Sequence, residues 1–222
     1  MFEGEKIIEA DEKLEAMCSA VNRIAHDYNN FLAAVQGYAD LILRDLPQDS
    51  QNASDIKEIK SACEKMALFN KKLLCFARRK EPALEEINLS ELLDQDSSYF
   101  SKKCSNHTLK INKTDSFVKG SSDQIIELLS ELIENACIFS PPNSQIEITC
   151  GYDSQSPFLS VKDRDPGLGE NPIKFFYPYE TTKPERQGLG LSKAYGIAVR
   201  HKAFFKIIKT KEFNEVRLIF GR

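Results

Sequence analysis

Apolar positions at spacings of four and three run through the first part of the chain. Ile24, Tyr28, Phe31, Val35, Tyr38 and Ile42 form one stripe, and Ala25, Leu32, Ala39 and Leu46 form another beside it. This period predicts one long helix over about residues 5 to 45 with a heptad seam. Asp45 to Ser54, DLPQDSQNAS, carries Pro and polar turn formers that break the pattern. A second helix is expected from about Ser54 to Lys80, with Ile56, Ile59, Cys63, Met66, Leu73 and Ala77 on one stripe and Ala62, Phe69 and Phe76 beside it. Two helices joined by a short polar loop make an antiparallel hairpin. Each has two apolar stripes and a hairpin covers only one, so two hairpins are expected to pair into a dimeric four-helix bundle.

After Pro82 the texture changes to short alternating strand and helix signals, which places a domain boundary near Arg79 to Leu84. The division expected is 1–82 and 83–222. In the second part the pattern predicts helices from Ser90, from Ser121 to Phe139 and from Leu191 to His201. Strands are expected at Thr108 to Asn112, Gln145 to Tyr152, Phe158 to Lys162, Phe204 to Lys209 and Glu215 to Phe220. Ser121 and Gln124 have the spacing of a capping box. The fold class is α+β: the helical hairpin, then an α/β sandwich with helices on one face of a mixed sheet.

Composition narrows the function. The 222 residues are 41% hydrophobic and 28% charged, ordinary for a globular protein with a core. Thirty Lys and Arg against 33 Asp and Glu give a net charge of -3, so no basic field points to nucleic acid. No apolar run approaches the roughly 18 residues of a spanning helix, and the acidic N-terminus does not resemble a signal peptide, so no membrane insertion and a cytoplasmic location are expected. Six cysteines at 18, 63, 75, 104, 137 and 150 show no metal-binding spacing and are expected to be reduced, mostly buried thiols.

His26 lies off the apolar seam, followed by Asp27 and, one turn on, by Asn30. An exposed imidazole can act as a nucleophile while a neighbouring carboxylate fixes its tautomer. The stretch IAHDYNNFLAAVQGYADLIL around it resembles the phosphoacceptor box of sensor histidine kinases of the AHDFNN type. The resemblance implies that His26 is phosphorylated, that Asp27 serves as base or orienter, and that Asn30 helps dephosphorylate the partner. SELIENACIFSP resembles the N box, implying that Asn135 binds Mg2+ bridging the nucleotide phosphates; Glu131 stands one turn earlier, where many kinases have Asn. DRDPGLGE resembles the G1 box through Asp165, Gly167 and Gly169, with the carboxylate accepting from the adenine amino group. FFYPYETTK resembles the F box, with Phe176, Pro178, Thr181, Thr182 and Lys183 flanking the nucleotide. QGLGLSKAYGIAVRH resembles the G2 box, where Gly188 and Gly190 open a helix whose first amides face phosphate oxygens.

The ordered set implies an ATP-dependent histidine kinase core with a Bergerat-type ATP-binding domain over 83–222, using ATP and Mg2+. It also implies a homodimer that passes phosphate to the receiver domain of a response regulator. Arg186 replaces the first glycine of the G2 pattern, His201-Lys202-Ala203 stands for its H-G-G, and only PERQ separates Lys183 from Gly188. These departures leave open a histidine phosphotransferase whose degenerate C-terminal domain binds no ATP. They also leave open whether Arg186 weakens ATP binding or itself contacts phosphate. A gyrase-like or chaperone-like ATPase, with Glu131 activating water, is a third reading. About twenty residues precede the H box, implying either an excised core or a signal received from a separate sensor protein or domain.

Overall fold

The computed structural model describes residues 4–8, 12–77, 84–165, 171–183, 186 and 188–221. It divides into two units, one over Glu15–Arg78 and one comprising the rest of the chain. Among the described residues no helix is long and apolar enough to cross a membrane.

The smaller unit is two helices, α1 (Glu12–Asp45) and α2 (Gln51–Ala77). The turn between them is set by Ser50, whose N–H donates to Pro47 O and whose hydroxyl accepts from Ala53 N–H, satisfying a donor at the start of α2. The stripe of small residues lies inside: Ala25, Leu32 and Ala39 of α1 are buried, as are Ala53, Cys63 and Asn70 of α2. The larger stripe, Ile24, Tyr28, Phe31, Val35, Tyr38 and Ile42, is exposed, as are Ile59, Met66 and Phe69 of α2. Side chains of Leu73, Phe76 and Ala77 lie outside the described residues.

The first helix does not reach back to residue 5 as its sequence suggested. Gly4–Ile8 forms a strand, β1, paired antiparallel to β7 (Ala203–Lys209), with Ile8 buried opposite Phe205. The assignment of residues 1–82 to the hairpin is therefore corrected at its N-terminal end. The open edge of β7 supplies backbone partners that an isolated helical turn there would lack. The boundary expected at 82/83 lies outside the described residues.

The larger unit continues with β2 (Glu85–Asn88), α3 (Leu89–Gln95), α4 (Ser97–Lys103), β3 (Thr108–Lys113), β4 (Phe117–Gly120) and α5 (Ser122–Phe139). After β5 (Gln145–Asp153) and β6 (Ser156–Asp163) come a 3₁₀ turn at Pro172–Phe176, α6 (Gly190–Arg200), β7 and β8 (Asn214–Phe220). The sheet order is β1-β7-β8-β6-β5-β3, antiparallel except for the parallel pair β3–β5, while β2 and β4 form a separate ribbon. This is an α+β fold with a mixed sheet.

Alternation decides what the sheet faces. In β7, Ala203, Phe205 and Ile207 are buried while Phe204, Lys206 and Ile208 are half-buried. Phe205 packs on Phe176, with ring centroids 4.9 Å apart. Further along the sheet, Arg217 pairs with Asp153 at 2.9 Å and Lys206 with Glu5 at 2.9 Å.

The capping box expected at Ser121 does not form. Ser121 is the N-cap of α5 but makes no side-chain cap bond. Its N–H donates instead to His201 Nε2 at 3.1 Å, and Gln124 accepts from Arg200 Nε. The Nδ1–H of His201 donates to Ile197 O, so a buried neutral imidazole ties the end of α6 to the start of α5. Phe205→Ala should cost about 3–5 kcal/mol, the usual penalty for emptying a buried aromatic site, and urea unfolding followed by circular dichroism would measure it.

Candidate functional site

His26 is on the outer surface of α1, its side chain 75% exposed. Nδ1 lies 3.4 Å from Asp27 Oδ1 and 3.4 Å from Asn30 Nδ2. When Asp27 accepts from Nδ1–H, the free lone pair is on Nε2. The three residues singled out in the sequence are therefore together on one exposed face. One residue that sequence reasoning missed supports them from behind. Buried Asn70 of α2 donates from Nδ2 to Ala25 O at 2.7 Å and to Asn29 Oδ1 at 2.8 Å, fixing α2 against the backbone next to His26. A lone Asn inside an apolar seam was its signal.

In the larger unit the candidate residues gather on α5 and the start of α6. Ile125, Leu128, Leu129, Leu132, Ile133 and Ala136 are buried, so Glu127, Glu131, Glu134 and Asn135 project from the flank of α5. Gly190 opens α6 against this flank: a Cβ there would lie 2.8 Å from Glu131 Oε2 and 3.9 Å from Asn135 Nδ2. The N and G2 segments thus approach closely through this glycine.

Glu131 is engaged. Lys193 of α6 donates to it at 2.6 Å and to Glu127 at 2.9 Å. Burial lowers the Lys193 pKa, but the two carboxylates outweigh it and hold the ammonium above its usual range. A carboxylate so paired is poorly placed to take a proton from water.

The segment before α6 is drawn onto α5. Gly188 has φ +63, and a Cβ would fall 2.8 Å from Glu180 O, so only glycine fits here without strain. Tyr179 N–H donates to Gly188 O, closing the loop. Lys183 Nζ donates to Ile138 O at 2.8 Å at the end of α5, and Thr182 is exposed. Arg186 pairs with Glu134 at 2.7 Å, beside Asn135. Burial raises the Glu134 pKa, yet its bonds to Arg186 and Lys103 bring it below the ordinary value.

Gly167 and Gly169 lie outside the described residues. Asp165 is half-buried, and Asn214 donates to its carbonyl. Two residues earlier, at the end of β6, Asp163 is buried and accepts from Asp165 N–H at 2.8 Å. Burial, aided by the Asp165 charge, pushes the Asp163 carboxyl up to about 6. Sequence reasoning passed over Asp163 because only burial separates these two carboxylates. Among the described residues no cluster of three His, Cys, Asp or Glu could hold a metal ion unaided.

Residues 120–216 match the family of histidine kinase-, DNA gyrase B- and HSP90-like ATPases. The chain is also similar to sporulation kinase A of Bacillus subtilis, 25% identical over 209 residues that cover 91% of this chain and 34% of that protein. The chain resembles the catalytic core of a sensor histidine kinase. The sensor histidine kinase ZraS of Escherichia coli K12 is 23% identical over 86% of this chain and 42% of its own length. The chain thus spans between a third and a half of the length of these relatives. Among solved structures, ShkA full-length in complex with AMPPNP matches with a TM-score of 0.61 and 16% identity over 90% of this chain and 45% of that one. The catalytic domain of histidine kinase ThkA matches with a TM-score of 0.56 and 25% identity over 62% of this chain and 94% of that one.

The folded core holds the Asp163 proton up to about pH 6, whereas an unfolded chain releases it near pH 4. Its contribution therefore falls by on the order of 3 kcal/mol as pH rises through that window. Asp163→Asn should abolish this fall, as urea midpoints taken from about pH 4 to pH 6 would show.

Proposed function

We propose that the chain is an ATP-dependent protein histidine kinase core that phosphorylates His26 and passes the phosphoryl group to an aspartate of a response-regulator receiver domain. The observation that carries this reading is the exposed His26 imidazole, with Nδ1 beside Asp27 and Asn30. Asp27 accepts the Nδ1 proton and fixes the tautomer. The Nε2 lone pair then attacks the γ-phosphorus as its bond to the ADP oxygen breaks, and Asp27 takes up the charge that appears on the ring. Asn30, one turn along the same face, orients a water when the receiver domain is dephosphorylated.

Nucleotide binding falls to the α5–α6 flank. The Asn135 side-chain oxygen is a hard donor that suits Mg2+, and Glu131 and Gly190 stand beside it where the nucleotide would bind. The ion would neutralise charge building on the phosphates. The first amides of α6, with Gly188 and Gly190, hold phosphate oxygens. Buried Asp163, in place of the Asp165 that the resemblance singled out, takes the adenine amino group, with the Asp165 N–H donating to it; Gly167, Gly169, Thr182 and Lys183 keep the nucleotide-side roles that the resemblance implies. Lys193 occupying Glu131 argues against the gyrase-like hydrolase reading. The phosphotransferase reading draws support from Arg186 and Lys183, whose charges are taken up by α5. We place the protein in the cytoplasm.

Incubation with labelled ATP and Mg2+ should give an acid-labile, base-stable phosphoprotein, and His26→Ala should abolish it. Label persisting on that variant would remove His26 from the mechanism. Calorimetric titration that detects no Mg-ATP binding would hand the chain to the phosphotransferase reading.

The exposed stripes of α1 and α2 call for a second copy of the chain, since burying each apolar Å2 is worth about 25 cal/mol. Light scattering should give twice the 25.2 kDa chain mass, and Val35→Asp should return it to one. A wild-type mass of one chain would rule out the four-helix bundle.

A further inference from the structure

Among the described residues four cysteines are free, and two of them touch. Cys104 ends α4, where its N–H donates to Phe100 O, and Cys137 lies in the last turn of α5, two residues after Asn135. Their sulfurs are 3.3 Å apart and share a hydrogen bond. His107 holds the pair from both sides. Its backbone N–H donates to Cys104 O at 2.8 Å, and its ring Nε2–H donates to Cys137 O at 2.9 Å. Nδ1 then accepts from the Ser144 hydroxyl, which fixes the ring.

The two thiols are not equivalent. Cys104 is buried while Cys137 is half-exposed, so a small oxidant reaches Cys137 first. A half-exposed thiol backed at 3.3 Å by a buried one is the arrangement of an attacking and a resolving cysteine.

We propose that Cys104 and Cys137 are a peroxide-responsive pair that closes to a disulfide, with Cys137 attacking and Cys104 resolving. The Cys137 thiolate attacks one oxygen of hydrogen peroxide. The O–O bond breaks, hydroxide leaves and takes up the proton that Cys137 had released, and Cys137 becomes a sulfenic acid. The Cys104 sulfur then attacks the Cys137 sulfur, the S–O bond breaks, and the oxygen departs with the Cys104 proton as a second water. Two thiols are oxidised and one peroxide is reduced to two waters. The sulfurs need to close by only roughly 1.3 Å to reach bonding distance. The bond would tie the end of α4 to α5 beside Asn135, and the proposal stands whether or not the chain proves to be a kinase.

Treating the full chain with hydrogen peroxide and mapping its peptides without reduction tests this. The expected result is an intact mass lower by two hydrogens, a linked peptide joining Cys104 to Cys137, and reversal by dithiothreitol. In Cys104→Ser the sulfenic acid should persist at Cys137 and be captured by dimedone, while Cys137→Ser should leave Cys104 unmodified. A wild-type map showing no disulfide, or one joining other cysteines, overturns the pairing without recourse to any variant. Dimedone captured at Cys104 overturns the assigned roles.

Discussion

Burial of α5 against the sheet is the constraint from which the rest of the larger unit follows. Six apolar side chains at helical spacing commit one face of the helix to the core, and that leaves a single flank for Glu127, Glu131, Glu134 and Asn135. Everything of chemical interest nearby is placed by reference to that flank. Lys193 reaches it from α6, Arg186 and Lys183 reach it from the preceding loop, and Gly190 lets the two helices approach where any side chain would collide. His201 sets the far end, tying the close of α6 to the start of α5. The flank is thus held at both ends.

The hairpin solves a different problem with the same helical period. Small residues inside bring α1 and α2 close, and the large apolar ones are left on the outside. Asn70 fixes the register by bonding to Ala25 O and Asn29, because a sliding helix would strand a buried amide. The imidazole next to that lock stays exposed.

Much of this was legible in the sequence, for physical reasons that can be named. α1, α2, α5 and α6 have long apolar periods, and β5 to β8 have clear alternation, so each declared itself. The H, N and G2 segments also did, since their residues lie close in sequence. What failed to show was short or set by distant contacts. β2 and β4 have four residues each, too few for a period, and β1 is a strand only because β7 offers it an edge. Ser121 had the right spacing for a capping box, but His201, 80 residues on, supplies the bond instead. Asp163 and Asp165 are alike as letters, and only folding buries the first. Arg186 could have faced phosphate or not; its partner Glu134 stands 52 residues away.

The pairing of β1 with β7 bears on how the molecule is made. β1 leaves the ribosome roughly 200 residues ahead of its partner, on the order of ten seconds or more at ordinary translation speeds. In that interval the whole hairpin is synthesised and free to fold on local contacts. The sheet can only be finished last, when the final hairpin of β7 and β8 arrives. The first strand is therefore a closing piece, and a nascent chain stalled before β7 would carry a folded hairpin at the end of an unpaired ribbon.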